Sequence, residues 1–255
     1  MPAMHPVVRF LGSSVTTALL LVGCGGAAGT PTAATSLAAP SAAPSVVSSP
    51  SIRASPSAAP SSGTAPSPSA AAAAVPLCAK EMNPCPITAG TYSAIPFRPT
   101  FEFTITDPWQ NDRAWPDGGE IAKDAGAVQW ASGVTTGYKF GLSGISTPIG
   151  PKPADFIDYL KSFKAFTVSD PMPVTIDGVS GQQVDVLTNK TAPVRGIFVI
   201  THDAFNLDPG EKIRFFVLDK DGHTVILTID SFKAADFDAF AKVAQPVIDS
   251  ITWVP

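Results

Sequence analysis

From Gly25 to Val75 the chain is almost wholly Ala, Pro, Ser, Thr and Gly, and this stretch decides how much of the protein can fold. It holds almost no large side chain, so burial cannot offset the entropy of ordering it. Proline biases such a segment toward extended, solvated polyproline II. At about 3.1 Å per residue, roughly 50 residues reach up to about 150 Å, and less on average. The sequence therefore predicts a disordered linker that acts as a spacer, and the run Ala70–Ala74 is too isolated to force into structure. Its many Ser and Thr are also open to O-glycosylation.

Residues 1–23 have the form of an export signal. One Arg, Arg9, precedes an apolar core from Phe10 to Val22. That core is about 13 residues long, too short to cross roughly 30 Å of hydrocarbon as a helix. It ends in Leu21-Val22-Gly23-Cys24, which resembles the bacterial lipobox. The motif has a chemical reason: the Cys24 thiol takes a diacylglyceryl group, and small Gly23 lets the signal peptidase cut just before it. The resemblance implies a mature N-terminus at a lipidated Cys24 and a membrane as partner through its acyl chains. At about 0.8 kcal/mol per buried CH₂, two or more chains give lasting attachment where one is reversible. The alternative, an ordinary secretory cut within Gly26-Ala27-Ala28-Gly29, leaves no anchor.

The chain has three cysteines. With Cys24 lipidated, Cys78 and Cys85 remain, separated by Ala-Lys-Glu-Met-Asn-Pro. Export places them in an oxidising compartment, and Asn83-Pro84 can turn the short loop back on itself. A disulfide between them would staple the start of the folded part, contributing about 2 kcal/mol; the alternative is two independent thiols. No nearby His completes a zinc ligand set.

Charge narrows the partners. Acidic residues are absent before Glu81, and the basic residues before Lys80 are Arg9 and Arg53. Removing those two from 17 Lys+Arg leaves 15 against 21 Asp+Glu, so residues 76–255 carry a formal charge of −6. Such a domain repels phosphate backbones, which argues against nucleic acid.

Residues 76–255 read as one domain of strands with two helices. Phe101–Thr106 alternates with period two and stops at Asp107-Pro108. Ala127–Trp130, Gly137–Leu142, Gln183–Leu187 and Gly196–Ile200 are further strands. Ile213–Leu218 returns through Asp221-Gly222 into Thr224–Ile229 as a hairpin. One helix is expected over Pro153–Phe163, with Phe156, Tyr159, Leu160 and Phe163 on one face. A second is expected over about Ala234–Ser250, kinked or broken near Lys242 by Pro246. Both aromatic stripes read as core. The expected class is α+β, with helices packed on a mainly antiparallel sheet.

The order of elements carries a family resemblance. A strand, the Asp107-Pro108-Trp109 element, a helix, an Asp177-Gly178-Val179-Ser180-Gly181 turn, a hairpin and a terminal helix closing in Ile248-Asp249-Ser250-Ile251 resemble the Mog1/PsbP-like group. The resemblance covers roughly residues 90–254 and is one of pattern. It implies an αβα sandwich used as a binding or accessory module, with no shared active site to carry over. The segment Gln110–Gly119 departs from the pattern and reads as a loop.

Catalytic patterns are thin. Gly141-Leu142-Ser143-Gly144-Ile145 misses the nucleophile elbow, because its second glycine comes one place early. His202-Asp203 follows a strand and could orient a general base, though such a pair more often makes a turn with a side-chain hydrogen bond. Asp219-Lys220-Asp221-Gly222 echoes a calcium loop, but Val217 and Thr228 stand where its end ligands belong. Asn189-Lys190-Thr191 is a glycosylation sequon in letters only, and His223 is expected to be solvated. No cofactor or metal is indicated. The readings that follow are a non-catalytic module for a small apolar ligand or an envelope protein, a hydrolase using Ser143 or His202/Asp203, and a structural wall-associated protein. A monomer is expected.

Overall fold

The computed structural model describes residues 73–80, 83–139, 145–191 and 197–255, all within the unit Ala65–Pro255. The signal segment, Cys24, nearly all of the linker and Ser143 lie outside the described residues. The first strands are β1 (Val75–Pro76), β2 (Cys85–Ile87), β3 (Gly90–Ser93) and β4 (Phe101–Ile105). Next come β5 (Trp109–Trp115), β6 (Gly118–Lys123), β7 (Gly126–Ser132), β8 (Thr136–Lys139) and β9 (Ile145–Pro148). After helix α1 (Pro153–Lys161) follow β10 (Phe166–Val168), β11 (Met172–Ile176) and β12 (Val179–Thr188). The chain continues through β13 (Phe198–Val199), β14 (Ala204–Phe205), β15 (Lys212–Lys220) and β16 (His223–Ser231). It closes with helix α2 (Phe237–Asp249) and β17 (Thr252–Trp253). The class is α+β: mostly antiparallel sheet with two helices.

A nine-stranded sheet, ordered β10-β12-β15-β16-β7-β6-β5-β2 with β11 also on β12, forms the frame. Along β15 and β16 successive side chains enter different cores. Phe216, Leu218, Val225, Leu227 and Ile229 join one cluster with Phe237, Ala244 and Val247 of α2. Phe215, Val217, Ile213 and Ile226 join the other with Phe156, Ile157 and Leu160 of α1. Alternation along a strand points neighbours to opposite faces, so the helices cover opposite sides of the sheet. Two smaller sheets extend these layers: β1-β3-β4-β17 on the α2 side and β14-β13-β8-β9 on the α1 side.

Turn chemistry sets the hairpins. Asp177-Gly178 and Asp221-Gly222 both hold left-handed φ, 44° and 78° in the first and 56° and 79° in the second. That is the geometry a two-residue reversal between twisted strands requires. The calcium-like letters at 219–222 are this turn, in which the Gly222 N–H donates to Asp219 Oδ1 at 2.9 Å.

Several elements depart from the sequence reading. Gln110–Gly119 is not a loop: it is most of β5, the Pro116-Asp117 turn and the start of β6. Its register shifts between Asn111 and Arg113. The polar run reads as a loop because this bulge breaks the two-residue period, and Asn111 is buried by hydrogen bonding rather than by apolarity. The Asn111 Oδ1 accepts from Ala79 N at 2.8 Å, and its Nδ2 donates to the Arg113 and Glu120 carbonyls, each at 3.0 Å. Helix α2 runs unbroken through Pro246. The proline stands in the last turns, where it removes one ladder bond, and Ser250 N still donates to the Pro246 carbonyl at 3.1 Å. Helix α1 ends before Phe163, which packs on it against Tyr159 with ring centroids 5.1 Å apart.

Candidate functional site

The most structured polar region lies where the turn joining β13 and β14 docks on the turn joining β5 and β6. The chain folds this way because Ile200-Thr201-His202-Asp203 closes on itself, with Ile200 N donating to the Asp203 carbonyl at 2.9 Å. Pro116-Asp117 makes the facing turn, joining Trp115 to its register partner Gly118. Proline suits the first corner of such a turn because its φ is already set.

Asp117 holds the docked turn from below. Its Oδ2 accepts the Thr201 N–H, and its Oδ1 lies 2.7 Å from His202 Nδ1. A carboxylate oxygen accepts, so in this contact Nδ1 is the donor. The imidazole stacks on Trp115, with centroids 6.3 Å apart and planes 14° off parallel.

Arg113 holds the other side. Its guanidinium pairs with Glu120 at 2.9 Å and with Asp203. Burial alone would push that guanidinium down, but Glu120, Asp203 and Asp112 together hold it above its ordinary value. Asp112 is affected oppositely. Burial lifts its carboxyl above the usual range, and neighbouring Arg113 and Gln110 only partly oppose this. Beyond Glu120, the register runs to Gln129 and then Thr228 on adjacent strands. Gln129 also donates to Asp230 at 3.2 Å, so a polar strip borders the aromatic core of the α1 side.

The inner side of the docked segment is apolar. Phe198 lies 5.4 Å from Phe156 and stacks on Phe205 at 4.6 Å, centroid to centroid. Phe205 lies 6.0 Å from Phe215 of β15. Tyr159 of α1 fixes the base of the segment: its hydroxyl donates to the Ile197 carbonyl and shares that proton with the Tyr138 carbonyl at 3.2 Å. Burial pushes this phenol well above its ordinary range.

His202 and Asp203, paired in the sequence reading, are not paired in space. A turn points the two side chains apart: His202 goes to Asp117, and Asp203 goes to Arg113 and to the N–H of Ala204 at 2.7 Å. The orienting carboxylate is therefore Asp117, 85 positions away in sequence. Among the described residues no Ser, Thr or Cys side chain hydrogen-bonds to His202, and Ser143 lies outside them. The missed partners had one sequence signal, the Pro116-Asp117-Gly118 turn letters between two strand-like runs.

Cys78 and Cys85 are joined in a disulfide, with Cα atoms 6.1 Å apart. Among the described residues no group of three or more His, Cys, Asp or Glu is placed to hold a metal. No helix among them is long and apolar enough to cross a membrane. On the α2 side, the gap among Phe101, Trp130, Leu227 and Val247 leaves no room for a water.

No family model matches the chain, and no curated protein matches it. Among solved structures, the chain is similar to LpqN, described as involved in cell envelope biogenesis of Mycobacterium tuberculosis. The two are 13% identical, with a TM-score of 0.35, over 68% of this chain and 91% of that one.

Proposed function

We propose that this chain is an exported lipoprotein whose domain acts as a non-catalytic binding or accessory module outside the cytoplasm. In this reading residues 1–23 direct export, and Cys24 carries the acyl chains that hold the protein to the membrane. Residues 25–75 then set the distance between that membrane and the domain. The observation that carries it is Leu21-Val22-Gly23-Cys24 at the end of an apolar core too short to span a bilayer. The disulfide supports it. With Cys78 tied to Cys85, Cys24 is the remaining cysteine of three, and such bridges persist in oxidising compartments.

We read residues 76–255 as an αβα sandwich of the Mog1/PsbP-like kind. Helices α1 and α2 on opposite faces of the large sheet support this, as does the match between the Asp177-Gly178 turn and the pattern that suggested it. The ligand is a small apolar molecule or an envelope protein.

Phase partitioning in Triton X-114 tests the anchor. The wild-type protein from its host enters the detergent phase, and Cys24→Ala moves it to the aqueous phase with the circular dichroism of the domain unchanged. A Cys24→Ala protein that stays in detergent overturns the anchor. Native mass spectrometry of the same aqueous protein tests the ligand: a retained apolar molecule supports a small-molecule module, and a uniformly empty protein excludes it.

A further inference from the structure

We infer that the β11 edge of the nine-stranded sheet is closed to a second copy of this chain by Pro171 and Pro173, which strip it of the donors that strand pairing needs. The inference depends on neither the lipid anchor nor the identity of a ligand.

Backbone geometry decides which groups face outward. Strands β11 and β12 are joined by Asp177-Gly178, both at left-handed φ, with Ile176 and Val179 as register partners across the reversal. In a two-residue hairpin of this kind the closing pair exchanges both of its backbone hydrogen bonds, and bonded and open pairs then alternate along the ladder. Ile176, Val174 and Met172 therefore turn their N–H and C=O toward β12, opposite Val179, Gly181 and Gln183. Thr175 and Pro173 turn theirs away from it. Proline has no N–H, so Pro173 offers this outer side only a carbonyl, and Pro171, one step before the strand, has no N–H to extend the row. Thr175 is left as the outward donor of the strand.

The edge is otherwise suited to pairing. Strand β11 pairs with β12 on one side, and among the described residues no strand pairs with its other side. Met172 is 52% exposed, and Pro173 and Thr175 are exposed beside it. Val174-Thr175-Ile176 is a β-branched run of the kind found in paired strands. Such an edge invites an isologous contact, β11 against the β11 of a second copy about a two-fold axis. Antiparallel pairing asks each bonded residue to exchange both an N–H and a C=O, so a proline there leaves a carbonyl of the incoming strand unanswered. Two-fold symmetry repeats that loss in both copies. The interior strands β12, β15, β16, β7, β6 and β5 contain no proline, whereas β2, at the other end of the sheet, is centred on Pro86. The consequence is a domain that stays single when many copies share one surface.

Sedimentation velocity on the chain from Gly25 onward, with the Cys78–Cys85 bridge intact, tests this between about 1 µM and about 100 µM. The wild-type chain is expected to sediment as a monomer throughout. Pro171→Thr/Pro173→Thr restores both missing donors, and its weight-average mass should rise about twofold or more with concentration. Hydrogen exchange at residues 171–175 of that variant should slow as it associates. Thr175→Lys in the same background sets a charge on the edge and should return the monomer. Should the double substitution prevent folding, Pro173→Thr alone carries the same readout. A variant that is folded by circular dichroism and stays monomeric at the highest concentration overturns the inference. So does association that leaves exchange at 171–175 unchanged, or a wild-type chain that already associates through this edge.

Discussion

Gly118 lies directly beneath Ile200: a Cβ added at Gly118 would stand 2.5 Å from Ile200 Cδ1. The next residue does the same on the other face, where a Cβ at Gly119 would stand 2.4 Å from the Trp130 ring. Two adjacent glycines thus open opposite sides of β6, one to the docked turn and one to the aromatic core.

The two positions should respond unequally to alanine. Ile200 offers the far end of a flexible side chain, and the Trp130 carbonyl, 3.0 Å from the added Cβ, must give only slightly, so Gly118→Ala is expected to cost about 1–2 kcal/mol in urea unfolding. The Trp130 ring is wedged among Phe97, Phe101 and Phe103 at 5.6–6.5 Å, and cannot yield. Gly119→Ala is therefore expected to cost about 3 kcal/mol or to prevent folding. Equal costs would show that the turn is as rigid as the core.

Asn111 is fully buried, and its amide serves three backbone groups. Asn111→Ala leaves Ala79 N, Arg113 O and Glu120 O without that partner. Each lost bond leaves a desolvated group behind, so a loss of about 2–4 kcal/mol in denaturant unfolding is expected. Asn111→Asp keeps the acceptor toward Ala79 but sets a buried carboxylate oxygen against the Arg113 and Glu120 carbonyls, and should cost at least as much as alanine.

Asp112 supplies a pH signature. Its carboxyl is lifted by burial, so the folded state holds that proton more tightly than the unfolded chain does. The sign follows: stability is greatest below the unfolded value and falls as pH rises through the lifted folded value. Asp112→Asn removes that loss. Thermal melts should show the variant about 1–2 °C above wild type at pH 7, with the gain fading as the pH drops below the carboxylate range. A variant less stable than wild type at pH 7 would mean that the Arg113 attraction outweighs burial.

Pro246 withholds the N–H that would donate to the Lys242 carbonyl inside α2. Pro246→Ala restores that bond. The full helix-interior cost of proline, about 3 kcal/mol, is not expected back, because the unfolded chain also regains freedom. A gain of about 1 kcal/mol in urea unfolding is expected.

The parts of this fold written locally were legible. Asp221-Gly222 and Asp177-Gly178 specify their reversals within two residues, and the Phe156–Tyr159–Leu160 stripe specifies a helix face. Residues 110–119 were not legible, since Asn111-Asp112-Arg113 looks solvated and is in fact folded inward by contacts 2 to 32 positions away. The candidate site was less legible still. Adjacent His202 and Asp203 look like partners, yet a turn sends them to residues 85 and 90 positions distant. No period or motif encodes those distances; only the pairing of β5 with β6, and the docking of one turn on another, brings them together.

The Cys78–Cys85 bridge gives the molecule a mechanical character. Tension arriving along the N-terminal chain passes β1 and reaches Cys78, where the bond carries it straight to Cys85 and the start of β2. The bond bypasses the chain between the two cysteines covalently. The pull is handed to the edge of the nine-stranded sheet, where β2 pairs with β5 at Trp109, Gln110 and Asn111. The domain is thus gripped by its broadest sheet, and its first strand can peel from β3 without the rest following.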